Sequence, residues 1–211
     1  MSMFYHESLE RGEDGLAKLA KAVVAICGCG ALGGNVAENL ARAGCSNLIV
    51  VDMDRVEERN LSTQPFTTRD ISRKKADVLA ANLYHAARCR VQSHGVKLDS
   101  RNGEKLLRPA DFAIDTFDNS AGRSDVQKAC ASLGIPCLHA GMAGDYSEII
   151  WDPGYRIPSP SNDDVCDYPL ARTLAVVTSA IAAEAAIRHI ILEENRSYTF
   201  TFGDMRVQRY D

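Results

Sequence analysis

The feature that most constrains this chain is an apolar run followed at once by closely spaced glycines: 23-VVAIC-27, then 28-GCGALGG-34. A continuous apolar run of five bounded by glycine reads as a strand buried on both faces. Gly28, Gly30 and Gly33 form a G-x-G-x-x-G pattern, and Leu32, Val36 and Leu40 then recur every four residues up to Gly44. A strand, a tight glycine turn and a helix opening on that turn form a phosphate-binding unit, because the helix start offers free N–H groups and a favourable dipole for an anion. The next run, 47-NLIVVD-52, ends in an acid 19 residues after Gly33. A carboxylate in that place can accept hydrogen bonds from ribose hydroxyls.

The alternation continues along the chain. Helices are expected over 6–21, 32–43, 72–86, 100–107, 121–133 and 169–193, and strands over 23–27, 47–52, 90–94, 111–115 and 136–140. Two alternating runs, 197–202 and 205–210 across Gly203-Asp204, predict a C-terminal antiparallel hairpin. The pattern predicts an α/β fold: a Rossmann-like, mostly parallel sheet with helices on both faces, in one domain over 1–211. Residues 152–168 form a long proline- and acid-containing loop.

Composition excludes several classes. The net charge of −4 argues against nucleic-acid binding through a basic field. The N-terminus has neither a basic start nor an apolar run, so it does not read as a signal peptide. The most apolar stretch, 174–187, is short for a span and runs into Glu184, Arg188 and His189; a buried or interface helix is expected, and no membrane. Seven cysteines without a C-x-x-C pair suggest neither a disulfide framework nor a zinc site, and a reducing cytoplasm fits.

The polar residues at the strand ends decide between hydride transfer and nucleotidyl chemistry. Asp52, Asp54 and Asn60 follow one strand, Lys75 lies in 70-DISRKKAD-77, and Asp118 and Asn119 follow another. In a parallel sheet these meet at the carboxyl edge. Lysine can bind phosphates and a carboxylate can hold Mg²⁺, whereas an NAD-dependent oxidoreductase has no evident use for that pair beside the phosphates. Each residue also has a plainer reading. Lys75 beside Arg73 and Lys74 could be a solvated helix lysine, Asp118 could cap the 121–133 helix, and Asp115 reads as a structural strand-end acid.

The motifs 28-GCGALGG-34, 52-DMDRVEERNL-61, 73-RKKA-76 and 115-DTFDNSAGR-123 together resemble the ThiF/MoeB/HesA superfamily, the adenylyltransferases similar to ubiquitin-activating enzymes. The resemblance covers about Val23 to His189. It implies ATP and Mg²⁺, and adenylation of the C-terminal carboxylate of a small ubiquitin-like or sulfur-carrier protein ending in Gly-Gly, releasing pyrophosphate, with a homodimer common. By position, Gly28, Gly30, Ala31 and Gly33 would cradle phosphates and Asp52 would hold the ribose. Asp54 and Asn60 would support the site, Lys75 would stabilise phosphate charge, and Asp118 would act with Mg²⁺. A cysteine in the loop before the last helix can carry the activated partner in related enzymes, which points to Cys166. A helix N-terminus would favour its thiolate, while Asp163, Asp164 and Asp167 oppose it; the alternative is a cysteine packed under the loop.

Two departures stand out. The family's N-L-x-R-Q pattern reads 60-NLSTQ-64 here, with Thr63 in the arginine's place, and the N-terminal R-Q pair supplied by a partner subunit is matched by His6 and Glu7. Arg11, Arg59 and Arg69 are the candidates to replace them. The missing arginines also leave open a catalytically weakened scaffold or binding subunit.

Overall fold

A computed structural model describes residues 2–159 and 169–210. The expected strands and helices form, with an added strand. The helices are α1 Tyr5–Lys21, α2 Gly33–Ala43, α3 Lys75–Ala87, α4 Gly103–Leu107, α5 Ser120–Leu133 and α6 Arg172–Leu192. The strands are β1 Val23–Cys27, β2 Asn47–Val51, β3 Arg90–His94, β4 Phe112–Asp115, β5 Cys137–Ala143, β6 Tyr146–Trp151, β7 Ser197–Thr201 and β8 Arg206–Tyr210.

All eight strands share one sheet in the order β3-β2-β1-β4-β5-β6-β7-β8. The first five are parallel, and β6, β7 and β8 extend it antiparallel. Alternate residues of the central strands enter opposite cores, which is why these strands are apolar throughout. Val24, Ile26, Leu48, Val50 and Ile114 face the layer built from α1, α2, α3 and α6. Ala25, Cys27, Ile49, Val51 and Ala113 face α4 and α5.

Local boundaries follow local chemistry. Gly44, at φ 115°, caps α2 in the left-handed region that glycine enters freely. Helix α1 kinks at Gly12, at φ 72°. Helix α6 starts at Arg172 with Ala171 extended before it, so Pro169 precedes the helix rather than lying in its first turn, as expected from 169–193. By length and composition α6 could cross a membrane. In the fold, Leu174, Ala175, Ala182, Ala183, Ala186 and Ile187 are buried. Strand β6 was not expected; it returns antiparallel along β5 after the Gly144-Asp145 turn.

The chain runs from β1 to the adjacent β2 on one side, while β4 lies on the other. Strand order therefore reverses beside β1, and the carboxyl ends of β1 and β4 open a crevice there.

Candidate active site

The crevice is a cavity of about 560 Å³. Its wall includes Gly28, Gly30 and Ala31 from the loop after β1, Asp52 and Asp54 from the segment after β2, Lys75 from the start of α3, and Asp118 from the segment after β4. Stretches up to 90 residues apart in sequence thus meet at one place.

The three glycines do different work. At Gly28, φ is 101°, and a Cβ would come within 2.7 Å of Thr116 Oγ1. At Gly33 a Cβ would stand 2.0 Å from the Gly28 carbonyl oxygen, so this glycine lets the helix pack onto its own loop and does not line the cavity. At Gly30 a Cβ would meet no protein atom within 4 Å, yet the residue faces the cavity. No neighbour in the fold requires glycine there, which is the condition for a backbone left bare so that a ligand can approach.

Asp52 fastens the loop. Its Oδ2 accepts from Cys29 N–H at 2.7 Å and its Oδ1 from Asp54 N–H at 2.7 Å. Burial raises its pKa above the ordinary value, partly offset by those N–H groups and by nearby Lys75. Each carboxylate oxygen keeps a second lone pair for a ligand hydroxyl.

Lys75 is 7% exposed, which removes the solvated-helix reading. Its Nζ lies 3.2 Å from Asp54 Oδ2, and its N–H donates to the Asp54 carbonyl. A buried ammonium needs such a partner. The cap of α5 is Asn119, whose Oδ1 accepts from Gly122 N–H at 2.8 Å. Capping is therefore not the work of Asp118, which is exposed at the cavity and accepts from the Asn119 amide at 3.2 Å. Asn60 does not line the cavity. Its Oδ1 accepts from Glu57 N–H, closing a short capping box. Cys166 lies outside the described residues. The other six cysteines are buried, and burial pushes Cys45 up to about 12 and Cys89 to about 11, which makes these thiols inert at neutral pH.

None of the arginines nominated from sequence lines the cavity. Arg11 pairs with Glu7 and Glu184, Arg59 pairs with Glu57, and Arg69 is exposed elsewhere. Two other cations do: Lys97 and Arg123. Arg123 is 7% exposed, donates to the Ala140 carbonyl at 3.1 Å and lies 3.5 Å from Asp115. Asp115 also accepts from or shares a proton with His139 Nδ1 at 2.8 Å, while His139 Nε2 lies 3.2 Å from Asp152. Tyr155 stacks on the imidazole at 3.9 Å between ring centres. The expected structural role of Asp115 is thus visible as the centre of a buried charged cluster behind the cavity. Arg172 Nη1 donates to the Thr63 carbonyl at 3.1 Å, beside the cavity residue Gln64.

A family model described as the ThiF family matches residues 6–207. The chain belongs to the ThiF family. It is 37% identical over 143 residues to the sulfur carrier protein adenylyltransferase of Thermus thermophilus, covering 65% of this chain and 53% of that protein. It is 34% identical over 162 residues to the sulfur carrier protein ThiS adenylyltransferase of Escherichia coli, covering 72% and 63%. With the adenylyltransferase and sulfurtransferase MOCS3 of Drosophila virilis the identity is 32%, over 85% of this chain and 42% of the relative. The chain thus spans about half the length of these relatives. Among solved structures it resembles E. coli MccB with ATP, at TM-score 0.83 and 20% identity over 100% of this chain and 71% of that one, and PaaA, at TM-score 0.83 and 16% identity over 99% and 72%. These two likenesses establish the ThiF-like fold.

Proposed function

We propose that this ThiF-family chain adenylates a carboxylate with ATP, and that the carboxylate is the C-terminal glycine of a small sulfur-carrier or ubiquitin-like protein ending in Gly-Gly. The observation that carries this reading is the meeting of Gly30, Lys75, Asp52 and Asp118 around one cavity. A carboxylate oxygen attacks the α-phosphorus, and the bond from that phosphorus to the bridging oxygen breaks. Pyrophosphate leaves with the electron pair, and an acyl-adenylate remains.

Gly28 and Gly30 let phosphates approach backbone N–H groups where α2 begins, and its dipole favours the anion. Lys75 holds phosphate charge in a water-poor setting, where such an interaction counts most. Asp52 takes the ribose. Asp118 would hold Mg²⁺, which offsets charge on the departing pyrophosphate. Lys97, at the cavity wall, stands in for a cation expected from the missing arginines. Asn60 supports the site at one remove, through the turn it closes. A homodimer would draw on β8, where Val207 and Tyr210 are exposed, together with the unburied half of the apolar residues of α6; sedimentation tests it. The proposed location is the cytoplasm.

The test is ATP–pyrophosphate exchange. With Mg²⁺ and a recombinant sulfur carrier protein ending in Gly-Gly, labelled pyrophosphate should enter ATP, and deleting the carrier's last glycine should stop it. Thr63, buried where the family has arginine, favours a second reading, a subunit that binds ATP without turning it over. Tight ATP binding with no exchange on any carboxylate would decide for that reading.

A further inference from the structure

Two to three strands from β1, at about 4.8 Å per strand, the cavity has a second wall that the phosphate-binding residues do not use. Strands β5 and β6 pair Gly141 with Glu148 there, and both line the cavity with Met142, Ala143, Gly144 and Tyr146. Glu148 alternates with Ser147 and Ile149, which are fully buried on the other face, so its carboxylate is directed to the cavity side. Among the described residues it makes no hydrogen bond or salt bridge, and burial raises its pKa despite Arg123 and His139 nearby. A half-buried carboxylate that faces the cavity and has no protein donor is free to accept a hydrogen bond from a ligand.

The gap beside it is defined by Gly141. A Cβ there would stand 3.3 Å from Arg123 Nη2 and 3.5 Å from Glu148 Oε1. One small volume is therefore flanked by a guanidinium donor and a carboxylate acceptor. Arg123 already gives N–H groups to Ala140 and Asp115, and a guanidinium has five, so donors remain. A free anion would be repelled by Glu148 and a free cation by Arg123. An amide, which accepts through its carbonyl and donates through its N–H, satisfies both.

We propose that Arg123 and Glu148, either side of Gly141, form a subsite for a peptide bond of the substrate, with the carbonyl on Arg123 and the N–H on Glu148. Resting on the adenylation reading, this makes Glu148 a specificity residue that selects carboxylates borne on a peptide over small free acids.

The test uses a recombinant carrier protein ending in Gly-Gly and three semisynthetic versions, each with one of the last three peptide bonds replaced by an ester, which removes one N–H. In pyrophosphate exchange, one ester should raise the carrier's KM about tenfold with wild-type enzyme, the effect of losing one hydrogen bond to a charged group. That ester should have no further effect on Glu148→Met, whose ATP KM should match wild type. Gly141→Ala, which fills the gap without touching the phosphate side, should also raise the carrier's KM and leave that of ATP unchanged. An ester effect undiminished in Glu148→Met, or no ester effect in wild type, overturns the subsite while leaving adenylation intact. Absence of exchange with every carrier overturns the adenylation reading, and the subsite with it.

Discussion

Replacing Gly30 and Gly33 separately by alanine should separate ligand binding from folding within one motif. A Cβ at Gly33 would lie 2.0 Å from the Gly28 carbonyl oxygen, a backbone atom that cannot rotate away. Helix and loop must part, and overpacking of this kind costs about 1–3 kcal/mol or more. In a chain of this size each kcal/mol moves Tm by about 2–4 °C, so Gly33→Ala should unfold about 2–12 °C below wild type without nucleotide. The methyl of Gly30→Ala meets no protein atom, so its Tm without nucleotide should match wild type. ATP at a hundred times its Kd should raise the wild-type Tm by about 5–11 °C, from a linkage energy of about 2.7 kcal/mol. If the methyl displaces the phosphates enough to weaken binding tenfold, about 1.4 kcal/mol of that is lost, or about 3–6 °C. Thermal unfolding with and without ATP measures all four values. A Gly30→Ala protein with the full wild-type ATP shift would refute the claim that phosphates approach this residue.

Other perturbations test the remaining parts. Lys75→Ala should lower the exchange rate by about 10²–10³ at saturating ATP, the scale for removing one group that stabilises transition-state charge, and loss confined to ATP affinity would contradict its assigned role. Asp118→Asn should raise the Mg²⁺ concentration needed for half-maximal exchange at unchanged Tm, whereas Asn119→Ala should cost about 0.5–2 kcal/mol of stability through the lost cap, read by denaturant unfolding. His139→Leu should destabilise the chain by about 3–5 kcal/mol near pH 6, by leaving Asp115 and Asp152 without the cation between them. Burial by itself lowers the His139 pKa, but hydrogen bonds to Asp115 and Asp152 outweigh it and raise the value above 6.5. Its stabilisation is therefore complete below about pH 6.5 and is lost as pH rises through the higher folded value. The gap between wild type and variant should narrow from pH 6 to pH 9, and a constant gap would show that the histidine is not charged.

Much of the site could be read from the chain because its chemistry sits at strand ends, and strand ends are marked by apolar runs stopping at glycine or aspartate. Gly28, Gly30, Asp52 and Asp118 fall at or just past such punctuation, whereas Lys75 opens α3. What escaped depends on contacts distant in sequence. Arg123 lies inside a quoted motif, but its inward orientation is set by Asp115 and Ala140, and its role shows only in their geometry. Asn119 rather than Asp118 caps α5 because of a backbone conformation that two adjacent cap-capable residues do not reveal. Strand β6 went unassigned because Tyr146 and Glu148 turn to the cavity and the residue buried between them is a serine, so its first half lacks a clear apolar run. Gly144-Asp145 between two extended segments was the hairpin signal that could have found it. Glu148 was hidden with it. The arginines nominated from sequence were drawn from the N-terminal helix and the segment after β2, whereas the cavity cations beside Lys75 come from the loop after β3 and from α5.

The proposed activity requires the glycine loop, Lys75 and Asp118 to meet around one triphosphate. A crystal structure with ATP and Mg²⁺ tests this most directly. It should show the phosphates against Gly28 and Gly30, with Lys75 Nζ within hydrogen-bonding distance of a phosphate oxygen and the metal bound by Asp118. Nucleotide bound elsewhere, or bound in this cavity with Lys75 still paired only to Asp54 and the metal away from Asp118, would contradict it.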